Sequence, residues 1–310
     1  MKIEKINCAV IGLGNAGFIY DLKSKDKKDI YTHSYAYKKI TNTNLISVSD
    51  NDKKKLNRFK KFFKVKTYSS YKHMLKNNKI DIVSICTPDE THEKILIDLL
   101  DYKIKCIICE KPVLNRIKNI NKIVKKYYEK KIPIYVNYFR DWDNKILSIK
   151  KKFKNIKSIE VKYHNGLIHN GSHYLSLLNK WFGHPIYFQD IQFIEKNKNW
   201  DNTLSFKIFY KNNNRIIPVI FRGYKIKKKI DIINLNLKNS SITIKDSKKI
   251  IYKLKNKKIS KKTEFGYIIV KFISYCIKNS INNRQAYQKT NFKKSLDCLK
   301  LAININSKFK

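Results

Sequence analysis

Residues 6–17 read INCAVIGLGNAG, an apolar run that leads directly into the pattern G-x-G-x-x-G. Between a strand and a helix, this pattern binds the pyrophosphate of a dinucleotide. Gly12 permits the tight turn, Gly14 lets the backbone approach the phosphates, and Gly17 lets the helix pack closely on the sheet. Because a helix N-terminus attracts negative charge, Asn15 and Ala16 join the three glycines as predicted cofactor-binding residues. The alternative is a glycine turn with a structural role only.

An acidic residue, Asp50, closes the next predicted strand at residues 45–49. A carboxylate at this place accepts hydrogen bonds from the adenosine ribose hydroxyls, which favours NAD over NADP. Asp50 lies 50 − 17 = 33 residues after Gly17, whereas roughly 20 residues are usual, so we expect an insertion around residues 20–37. The lysines at 53–55 would tolerate the 2′-phosphate of NADP, and a surface turn is the alternative interpretation of Asp50.

Strand-like and helix-like patterns alternate through the first 135 residues, which indicates βαβ units and a parallel sheet. The predicted strands cover residues 6–13, 45–49, 80–85, 105–109 and 132–136. Apolar residues at helical spacing predict helices at 93–100 and 117–128. We therefore predict an α/β domain over residues 1–135, with the doubly wound parallel sheet of a Rossmann domain.

Longer β-prone runs dominate after residue 138. They cover residues 156–163, 186–194, 204–210, 216–221, 230–237 and 241–244, with helical patterns near 172–182 and 265–277. This layout predicts an α+β domain over residues 136–310, in which a largely antiparallel open sheet carries helices on one face. A second domain also fits a chain of 310 residues, because a single core stops growing near this size. The uncovered face of the sheet predicts a homo-oligomer, a dimer or tetramer.

The formal net charge is +44, from 68 Lys and Arg against 24 Asp and Glu. Such a charge ordinarily favours nucleic acid or an anionic membrane as the partner. Only six of the basic residues are Arg, so 68 − 6 = 62 are Lys, and they are spread along the whole chain. Since Arg is the preferred reader of bases and phosphates, we attribute the charge to AT-rich coding and predict no specific nucleic-acid partner. A nucleic-acid binder would instead show tight, strongly salt-dependent association.

The cysteines and histidines do not form a pattern typical of disulfides or metal sites. A chain of this length can build its core without cross-links, so we expect its six cysteines to be reduced. Cys106 and Cys109 form C-x-x-C, but residues three apart on a strand point to opposite faces, and no second pair completes a zinc site. His164, His169 and His173 lack an accompanying cluster of carboxylates or cysteines. We therefore predict no metal.

The sequence also shows no pattern that is typical of a signal peptide or a membrane span. The chain begins Met1-Lys2-Ile3-Glu4 without a long apolar segment or a small-residue cleavage site, which argues against a signal peptide. No apolar run approaches the about 18 residues that a membrane span requires. These features predict a cytoplasmic protein with no membrane contact.

Two polar motifs follow predicted strands of the first domain. The motif T-P-D-E-T-H occupies residues 87–92, after the strand ending at 85, and E-K-P occupies residues 110–112, after the strand ending at 109. Ligands of open parallel sheets bind at the carboxyl ends of the strands. We therefore predict that the cofactor-binding residues also include Thr87, Pro88, His92 and Glu110 from these motifs. Asn137 is predicted to bind the cofactor with them.

Taken in order, G-x-G-x-x-G, T-P-x-x-x-H and E-K-P resemble the shared marks of the Gfo/Idh/MocA (glucose-fructose oxidoreductase / inositol dehydrogenase) family. The resemblance continues through V-N-Y-F-R at residues 136–140 and G-L-I-H-N-G-S-H at residues 166–173, so it covers essentially the whole chain. The last motif resembles a subgroup associated with surface-polysaccharide genes. The resemblance implies an NAD(P)-dependent dehydrogenase or reductase that acts on CH–OH groups of a sugar, cyclitol or nucleotide sugar.

The resemblance also implies two catalytic residues. Lys111 matches the lysine of E-K-P, which is expected to hydrogen-bond the reacting oxygen and help relay its proton. His173 matches the histidine of G-x-H, the expected general acid/base. An imidazole titrates near neutral pH and can take the hydroxyl proton as hydride leaves, while a lysine ammonium stabilises the developing alkoxide. A structural histidine at a helix N-terminus is the alternative for His173.

Two positions depart from the family pattern, because His169 and Ser176 stand where many members have acidic residues. The second change leaves open a non-catalytic, NAD-binding regulatory or partner protein of the same fold. On the substrate side we predict His169, Asn170 and Arg140. His169 could equally be structural, and Arg140 could equally form a structural ion pair. His33, in the insertion, is a further candidate on the substrate side.

Overall fold

The structure is a computed structural model that describes residues 5–24, 26, 28–116, 119–255, 257–281, 283 and 285–309. Its strands are β1 Ile6–Ile11, β2 Thr43–Ser49, β3 Lys66–Tyr68, β4 Ile82–Ile85, β5 Cys106–Glu110, β6 Ile134–Asn137, β7 Ile156–His164, β8 Tyr187–Lys198, β9 Asp201–Asn212, β10 Arg215–Tyr224, β11 Ile232–Leu237, β12 Ser240–Lys245, β13 Lys249–Leu254 and β14 Lys257–Lys262. Its α-helices are α1 Tyr20–Lys23, α2 His33–Lys39, α3 Lys53–Lys60, α4 Tyr71–Lys76, α5 His92–Leu99, α6 Ile120–Lys130, α7 Asn144–Leu147, α8 Ser172–Phe182, α9 Ile268–Ser280 and α10 Phe292–Ser307. The first residues of the helix predicted at 117–128 lie outside the described ranges.

The described residues divide into two compact units. The first comprises Met1–Asn137 with Gly266–Leu296, and the second comprises Tyr138–Phe265 with Asp297–Lys310. The division expected from the sequence differs, because it assigned every residue after 135 to the second domain. Helix α9 accounts for part of this difference: its apolar side is buried, and it packs against α2 and β5 of the first unit. An amphipathic pattern predicts a helix, but it does not reveal which sheet the helix covers.

The first unit contains a six-stranded sheet in the order β3-β2-β1-β4-β5-β6, with every neighbouring pair parallel. This is the strand order of a doubly wound Rossmann sheet, so the predicted fold class is confirmed. Strands such as β4 are buried along their whole length, as expected where helices cover both faces of a parallel sheet. The order reverses between β1 and β4, and their carboxyl ends therefore border the crevice in which such sheets bind ligands.

The second unit contains an eight-stranded sheet in the order β14-β13-β12-β11-β7-β10-β9-β8. Its neighbouring strands are antiparallel except β7 and β10, which pair in parallel. Alternate residues of β10 are buried, including Ile217, Val219 and Phe221, so one face of the sheet contributes to the core. The prediction of a largely antiparallel open sheet is thus confirmed.

Sequence patterns missed several elements. Strands β13 and β14 were not predicted, because lysine occupies four of the six positions in Lys257–Lys262 and alternation of apolar residues is weak. Lysine is common on edge strands, where its charge discourages pairing with other chains, and β14 is an edge of this sheet. The short strand β3 and helix α10 were also missed.

The six cysteines are all buried and none forms a disulfide. Cys106 and Cys109 both lie on β5 in the core, which supports a structural role for C-x-x-C. Among the described helices, none is both long and apolar enough to cross a membrane.

Candidate active site

The glycine-rich turn follows β1 directly. Gly12 has a φ of +93°, and a Cβ there would lie 2.7 Å from backbone atoms of Cys86 and Thr87. A Cβ on Gly17 would lie 2.0 Å from the carbonyl oxygen of Gly12. A Cβ on Gly14, in contrast, would meet nothing within 4 Å. Two glycines are therefore required by close packing, and the open side of the turn lies at Gly14.

A helical turn, Asn15–Ile19, begins immediately after Gly14 and continues into α1. The amides of Phe18 and Ile19 donate to the Gly14 carbonyl, at 2.9 and 3.0 Å. The amides of the preceding residues have no acceptor within a helix that starts here, and together with the helix dipole they attract anions. Asn15 is exposed and Ala16 half-buried. The open space at Gly14 and these amides fit the pyrophosphate of a dinucleotide.

Asp50 follows β2 and is bound to the glycine turn. Its Oδ2 accepts from the Leu13 amide at 2.7 Å, and its Oδ1 accepts from the Asp52 amide at 2.9 Å. Lys55 Nζ lies 3.8 Å from Asp50 Oδ2. Asp50 is 9% exposed. Each of its carboxylate oxygens has a further lone pair for a ribose hydroxyl. The predicted insertion between Gly17 and Asp50 contains α1 and α2.

The T-P-D-E-T-H loop is fixed to the E-K-P loop by His92. Its Nδ1 lies 2.8 Å from the Pro112 carbonyl and its Nε2 lies 2.9 Å from the Thr87 carbonyl. The ring is 1% exposed. Thr87 is half-buried and its neighbour Pro88 is exposed. His92 thus joins the two loops through its buried ring, while Thr87 and Pro88 remain accessible to a ligand.

Glu110 lies at the centre of a buried polar cluster. Its Oε1 accepts from Asn137 Nδ2 at 2.6 Å and lies 2.9 Å from His33 Nε2. His33 Nδ1 lies 2.8 Å from the Ser84 hydroxyl, which is 2.7 Å from the Tyr37 hydroxyl. His33 and Ser84 are fully buried. The prediction that His33 faces the substrate is therefore not supported, because His33 begins α2 inside the first unit and is buried in contact with Glu110.

The environment of Glu110 favours its ionised form. Burial raises the pKa of this carboxyl, but the hydrogen bond and charge of His33, the hydrogen bond from Asn137 and the charge of Lys111 outweigh it. The resulting pKa lies below the ordinary value of 4.5. Lys111 itself is half-buried and directly follows this carboxylate in the chain. The first unit therefore presents a lysine beside a fixed negative charge.

In the second unit, His173 lies in the first turn of α8 and is 5% exposed. Its ring packs against two aromatic rings, with centroid distances of 5.6 Å to Tyr138 and 4.6 Å to Phe139. These two residues directly follow Asn137 at the end of β6. The imidazole is thus held between two aromatic rings of one segment. Lys111 and His173 belong to different units.

A carboxylate lies beside Ser176, although the sequence has no acidic residue at this position. Ser176 Oγ donates to Asp141 Oδ2 at 2.7 Å, and Lys180 Nζ donates to the Asp141 carbonyl at 2.5 Å. Asp141 is 9% exposed. Because Ser176 follows His173 by three residues on α8, both side chains lie on one side of the helix. The loss of the acidic residue at 176 is therefore accompanied by a carboxylate from another segment.

Arg140 is buried within an aromatic and acidic environment. Its guanidinium lies 4.6 Å from the Phe139 ring centroid and 4.2 Å from that of Tyr174. Nη2 donates to Asp231 Oδ2 at 2.6 Å, and the Tyr174 hydroxyl donates to Asp231 Oδ1 at 2.6 Å. Nε and Nη1 have no partner among the described residues. Both interpretations of Arg140 thus find support, since one edge forms an ion pair and the other retains donors.

The segment that carries His169 and Asn170 is anchored by Asp201 at the start of β9. The Asp201 carboxylate accepts from the amides of Ile168 and His169, at 2.8 and 2.9 Å. Asn170 Nδ2 donates to the His164 carbonyl at 2.9 Å, so part of this amide has a structural role. His169 and Asn170 lie in the helical turn Leu167–Gly171 that leads into α8, one turn before His173.

Sequence reasoning missed Asp141, Asp201 and Asp231, which lie outside the motifs. It could not have paired Arg140 with Asp231, 231 − 140 = 91 residues later. Among the described residues, no group of three or more His, Cys, Asp or Glu could hold a metal ion.

The first unit also matches a known family. Residues 6–138 match the GFO_IDH_MocA family model, described as an oxidoreductase family with an NAD-binding Rossmann fold. No curated protein matches the chain significantly. The matched segment is therefore an NAD(P)-binding Rossmann domain.

Solved structures share the fold over nearly the whole chain. A mutant of a 3-ketoreductase from Actinomadura kijaniata, in complex with TDP-benzene and NADP, has a TM-score of 0.73 at 10% identity, covering 98% of this chain and 96% of that one. The WlbA dehydrogenase from Chromobacterium violaceum, in complex with NADH and UDP-GlcNAcA, has a TM-score of 0.70 at 15% identity, covering 99% and 94%. A dehydrogenase (MviM) from Clostridium difficile has a TM-score of 0.70 at 16% identity, covering 97% and 99%. At such identities the likeness shows the fold.

Proposed function

We propose that this protein, an NAD(P)-binding oxidoreductase of Gfo/Idh/MocA type, transfers hydride between NAD and a secondary alcohol or ketone on a sugar, cyclitol or nucleotide sugar. The observation that carries the proposal is the glycine turn, where open space at Gly14 faces helical amides and Asp50 binds the turn at Leu13. Two proteins of similar fold form complexes that contain a dinucleotide together with TDP-benzene or UDP-GlcNAcA. These complexes support a nucleotide sugar as the substrate here.

The proposed chemistry divides between two side chains. Bound NAD+ would supply the acceptor for the hydride of the carbinol carbon. His173 takes the proton of the substrate hydroxyl as the C–H bond breaks, so a carbonyl forms and the imidazole becomes charged. The Lys111 ammonium stabilises negative charge on the reacting oxygen. In the reverse direction His173 returns its proton to the alkoxide.

Asp141 supports an active His173. A carboxylate near an imidazole stabilises its charged form and fixes its orientation, and Asp141 hydrogen-bonds Ser176 one turn beyond His173. We infer that Asp141 takes the place of the acidic residue that position 176 lacks. This argues against the alternative of a non-catalytic regulatory or partner protein, for which Ser176 was the motive.

Asp50 supports NAD over NADP. Its carboxylate is already held by two backbone amides, and a 2′-phosphate beside it would suffer charge repulsion. Lys55, 3.8 Å away, would reduce that repulsion without removing it. We therefore propose tighter binding of NADH than of NADPH. Arg140, His169 and Asn170 are proposed to contact the substrate.

The test is turnover of a panel of sugars, cyclitols and nucleotide sugars with NAD+, followed by absorbance of the reduced cofactor. Lys111→Ala and His173→Ala should each lower kcat by about 10²–10⁴-fold, the usual contribution of acid–base and charge-stabilising groups, while NADH binding persists. Matched controls are Lys125→Ala and His184→Ala, which remove an exposed lysine and an exposed histidine. NADH binding without turnover of any compound would favour the non-catalytic alternative.

We also propose a cytoplasmic homo-oligomer with a role in surface-polysaccharide synthesis. Large apolar side chains are exposed on the second unit's sheet, with Ile216 at 57%, Tyr187 at 45% and Phe193 at 43%. Such residues support association through this sheet. Sedimentation should show a dimer or tetramer that Ile216→Lys weakens, and a monomer in the wild type would refute association.

A further inference from the structure

In the buried cluster around Glu110, the ionised carboxylate fixes the direction of the hydrogen bonds that it receives. Glu110 Oε1 then accepts from both His33 Nε2 and Asn137 Nδ2. On its other side, His33 Nδ1 lies 2.8 Å from the Ser84 hydroxyl, which is 2.7 Å from the Tyr37 hydroxyl. An ionised carboxylate can only accept, so the two bonds to Glu110 have fixed directions whichever way the hydroxyl protons point.

The Glu110 carboxylate determines the orientation of the Asn137 amide. A carboxylate requires a donor, so Nδ2 must face Glu110 and Oδ1 must face away from it. Asn137 is 7% exposed, and its Oδ1 is buried without a hydrogen-bond partner among the described residues. A buried acceptor without a donor is costly, so this atom is suited to a ligand that supplies an N–H or O–H group.

The position of Asn137 indicates which ligand. It ends β6, beside β5, at the carboxyl edge of the sheet. Asp50, the predicted adenosine contact, lies on the other side of the point where the strand order reverses. A dinucleotide spans that point, so its nicotinamide half belongs on the side of β4, β5 and β6. The nicotinamide carboxamide carries an N–H₂ group, the donor that Oδ1 lacks.

We propose that Asn137 Oδ1 accepts a hydrogen bond from the nicotinamide carboxamide, and that His33 is the positioning residue that holds Asn137 in this orientation through Glu110. The inference rests on the proposed cofactor function and adds a residue from the insertion to it. His33 does not touch the cofactor. Its effect passes through Glu110, whose low pKa accords with an ionised carboxylate.

The test compares binding of three compounds by calorimetry: NADH, ADP-ribose, which lacks the nicotinamide, and the reduced 3-acetylpyridine analogue, which lacks the N–H₂ donor. The wild type should bind NADH about tenfold more tightly than the analogue, the ratio given by about 1.4 kcal/mol. Asn137→Ala should remove this preference and leave ADP-ribose binding unchanged, which also shows that the first unit remains folded.

Two substitutions at position 33 separate positioning from packing. His33→Gln places an amide nitrogen near the former Nε2 and can still donate to Glu110, so it should retain most of the preference. His33→Asn places its amide near the former Nδ1 and cannot reach Glu110, so the preference should fall about tenfold. Tyr37→Phe is the matched control, because it removes the hydroxyl group that contacts Ser84 and leaves the bond between His33 and Glu110 in place. It should lower thermal stability without changing the preference for NADH over the analogue.

The results that overturn the inference are distinct from failure of the proposed function. An unchanged preference in Asn137→Ala overturns it, and so does an equal weakening of NADH and ADP-ribose in His33→Asn. If Asn137→Ala changes only KM for the substrate, the donor is a substrate hydroxyl and the inference is wrong. NADH binding without turnover would refute the proposed function alone, whereas no NADH binding by the wild type would refute both.

Discussion

The two units assemble their polar sites in different ways. In the first unit, Asp50, Thr87, Glu110 and Asn137 lie at or just after the carboxyl ends of parallel strands, which meet at one edge of the sheet. In the second unit, Arg140 obtains its carboxylate from Asp231, 91 residues later, and the side chain is 1% exposed. The first arrangement follows from topology and backbone geometry, whereas the second depends on long-range packing.

The largest expected effect separates two glycines of the first unit. Gly17→Ala places a Cβ 2.0 Å from the Gly12 carbonyl oxygen, so it should destabilise the first unit by about 4 kcal/mol and abolish NADH binding. Gly14→Ala has open space and should retain stability while weakening NADH, since the methyl group occupies the place of the pyrophosphate. Urea unfolding and NADH titration check both.

The three tryptophans, Trp142, Trp181 and Trp200, all belong to the second unit, and their fluorescence therefore reports on that unit. The loss of stability that Gly17→Ala causes in the first unit should therefore be measured by hydrogen exchange of the β1 and β4 amides. Wild-type affinity for NADH in this variant would show that the turn is not built as described.

The next effect concerns the ion pair of the second unit between Arg140, which is buried, and Asp231, whose side chain is 26% exposed. Asp231→Ala leaves the Arg140 guanidinium without its carboxylate and should destabilise this unit by about 3 kcal/mol, measured by tryptophan fluorescence in urea. Asp190→Asn is the control, because Asp190 and Lys207 form an ion pair with both side chains 47% exposed, and such pairs contribute below about 1 kcal/mol. Equal losses in the two variants would remove the contrast between buried and exposed pairs.

These differences explain how much of the molecule was predictable. Glycine spacing and strand alternation predicted the Rossmann sheet and placed Asp50, because local sequence determines tight turns and strand ends. The T-P-D-E-T-H and E-K-P motifs likewise placed Thr87 and Lys111 just after strand ends, where the structure has them. In contrast, nothing local marks Asp141 as the carboxylate beside Ser176, or α9 as part of the first unit. Such relations arise only when distant segments pack together.

A smaller effect is expected at the adenosine side of the first unit. Asp50→Asn replaces one carboxylate oxygen by an amide group, so it should weaken NADH about tenfold, the value of one charge-assisted hydrogen bond. NADPH should weaken less, because the repulsion of its 2′-phosphate also falls. Fluorescence titration of both cofactors measures this ratio, and Asp52→Asn, whose parent carboxylate caps α3, is the matched control. An unchanged ratio would contradict the role of Asp50.

The smallest effect is a pH dependence with opposite sign in the two units. The pKa of Glu110 is lowered from 4.5, so its ionised form stabilises the folded state above pH 4.5, and this stability is lost as pH falls through the lower native pKa. The stability advantage of the wild type over Glu110→Gln should therefore shrink in acid. Hydrogen exchange of β5 amides between pH 6 and pH 3, an interval of about three units around the ordinary pKa, measures it.

Asp143 provides the contrast in the second unit. Burial raises its pKa from 3.8, against hydrogen bonds from the amides of Ile146, Glu264 and Lys145, with the charge of Glu264 adding to the rise. The folded state therefore binds this proton more readily, and the wild type should gain stability relative to Asp143→Asn as pH falls through the raised pKa toward 3.8. Parallel trends in both units would refute this account of the two carboxyls.

The central claim is the proposed hydride transfer between NAD and a sugar-like substrate, in which Lys111 and His173 each act on the reacting hydroxyl group. The most direct test uses NADH with deuterium on the transferred position of nicotinamide C4, a panel of keto sugars and keto nucleotide sugars, and mass spectrometry of the products. We predict deuterium on the carbinol carbon of one product with the wild type, and loss of this label in Lys111→Ala and His173→Ala, both still binding NADH. Label transfer at the wild-type rate by either variant, or no transfer to any compound despite saturable NADH binding, would contradict the account.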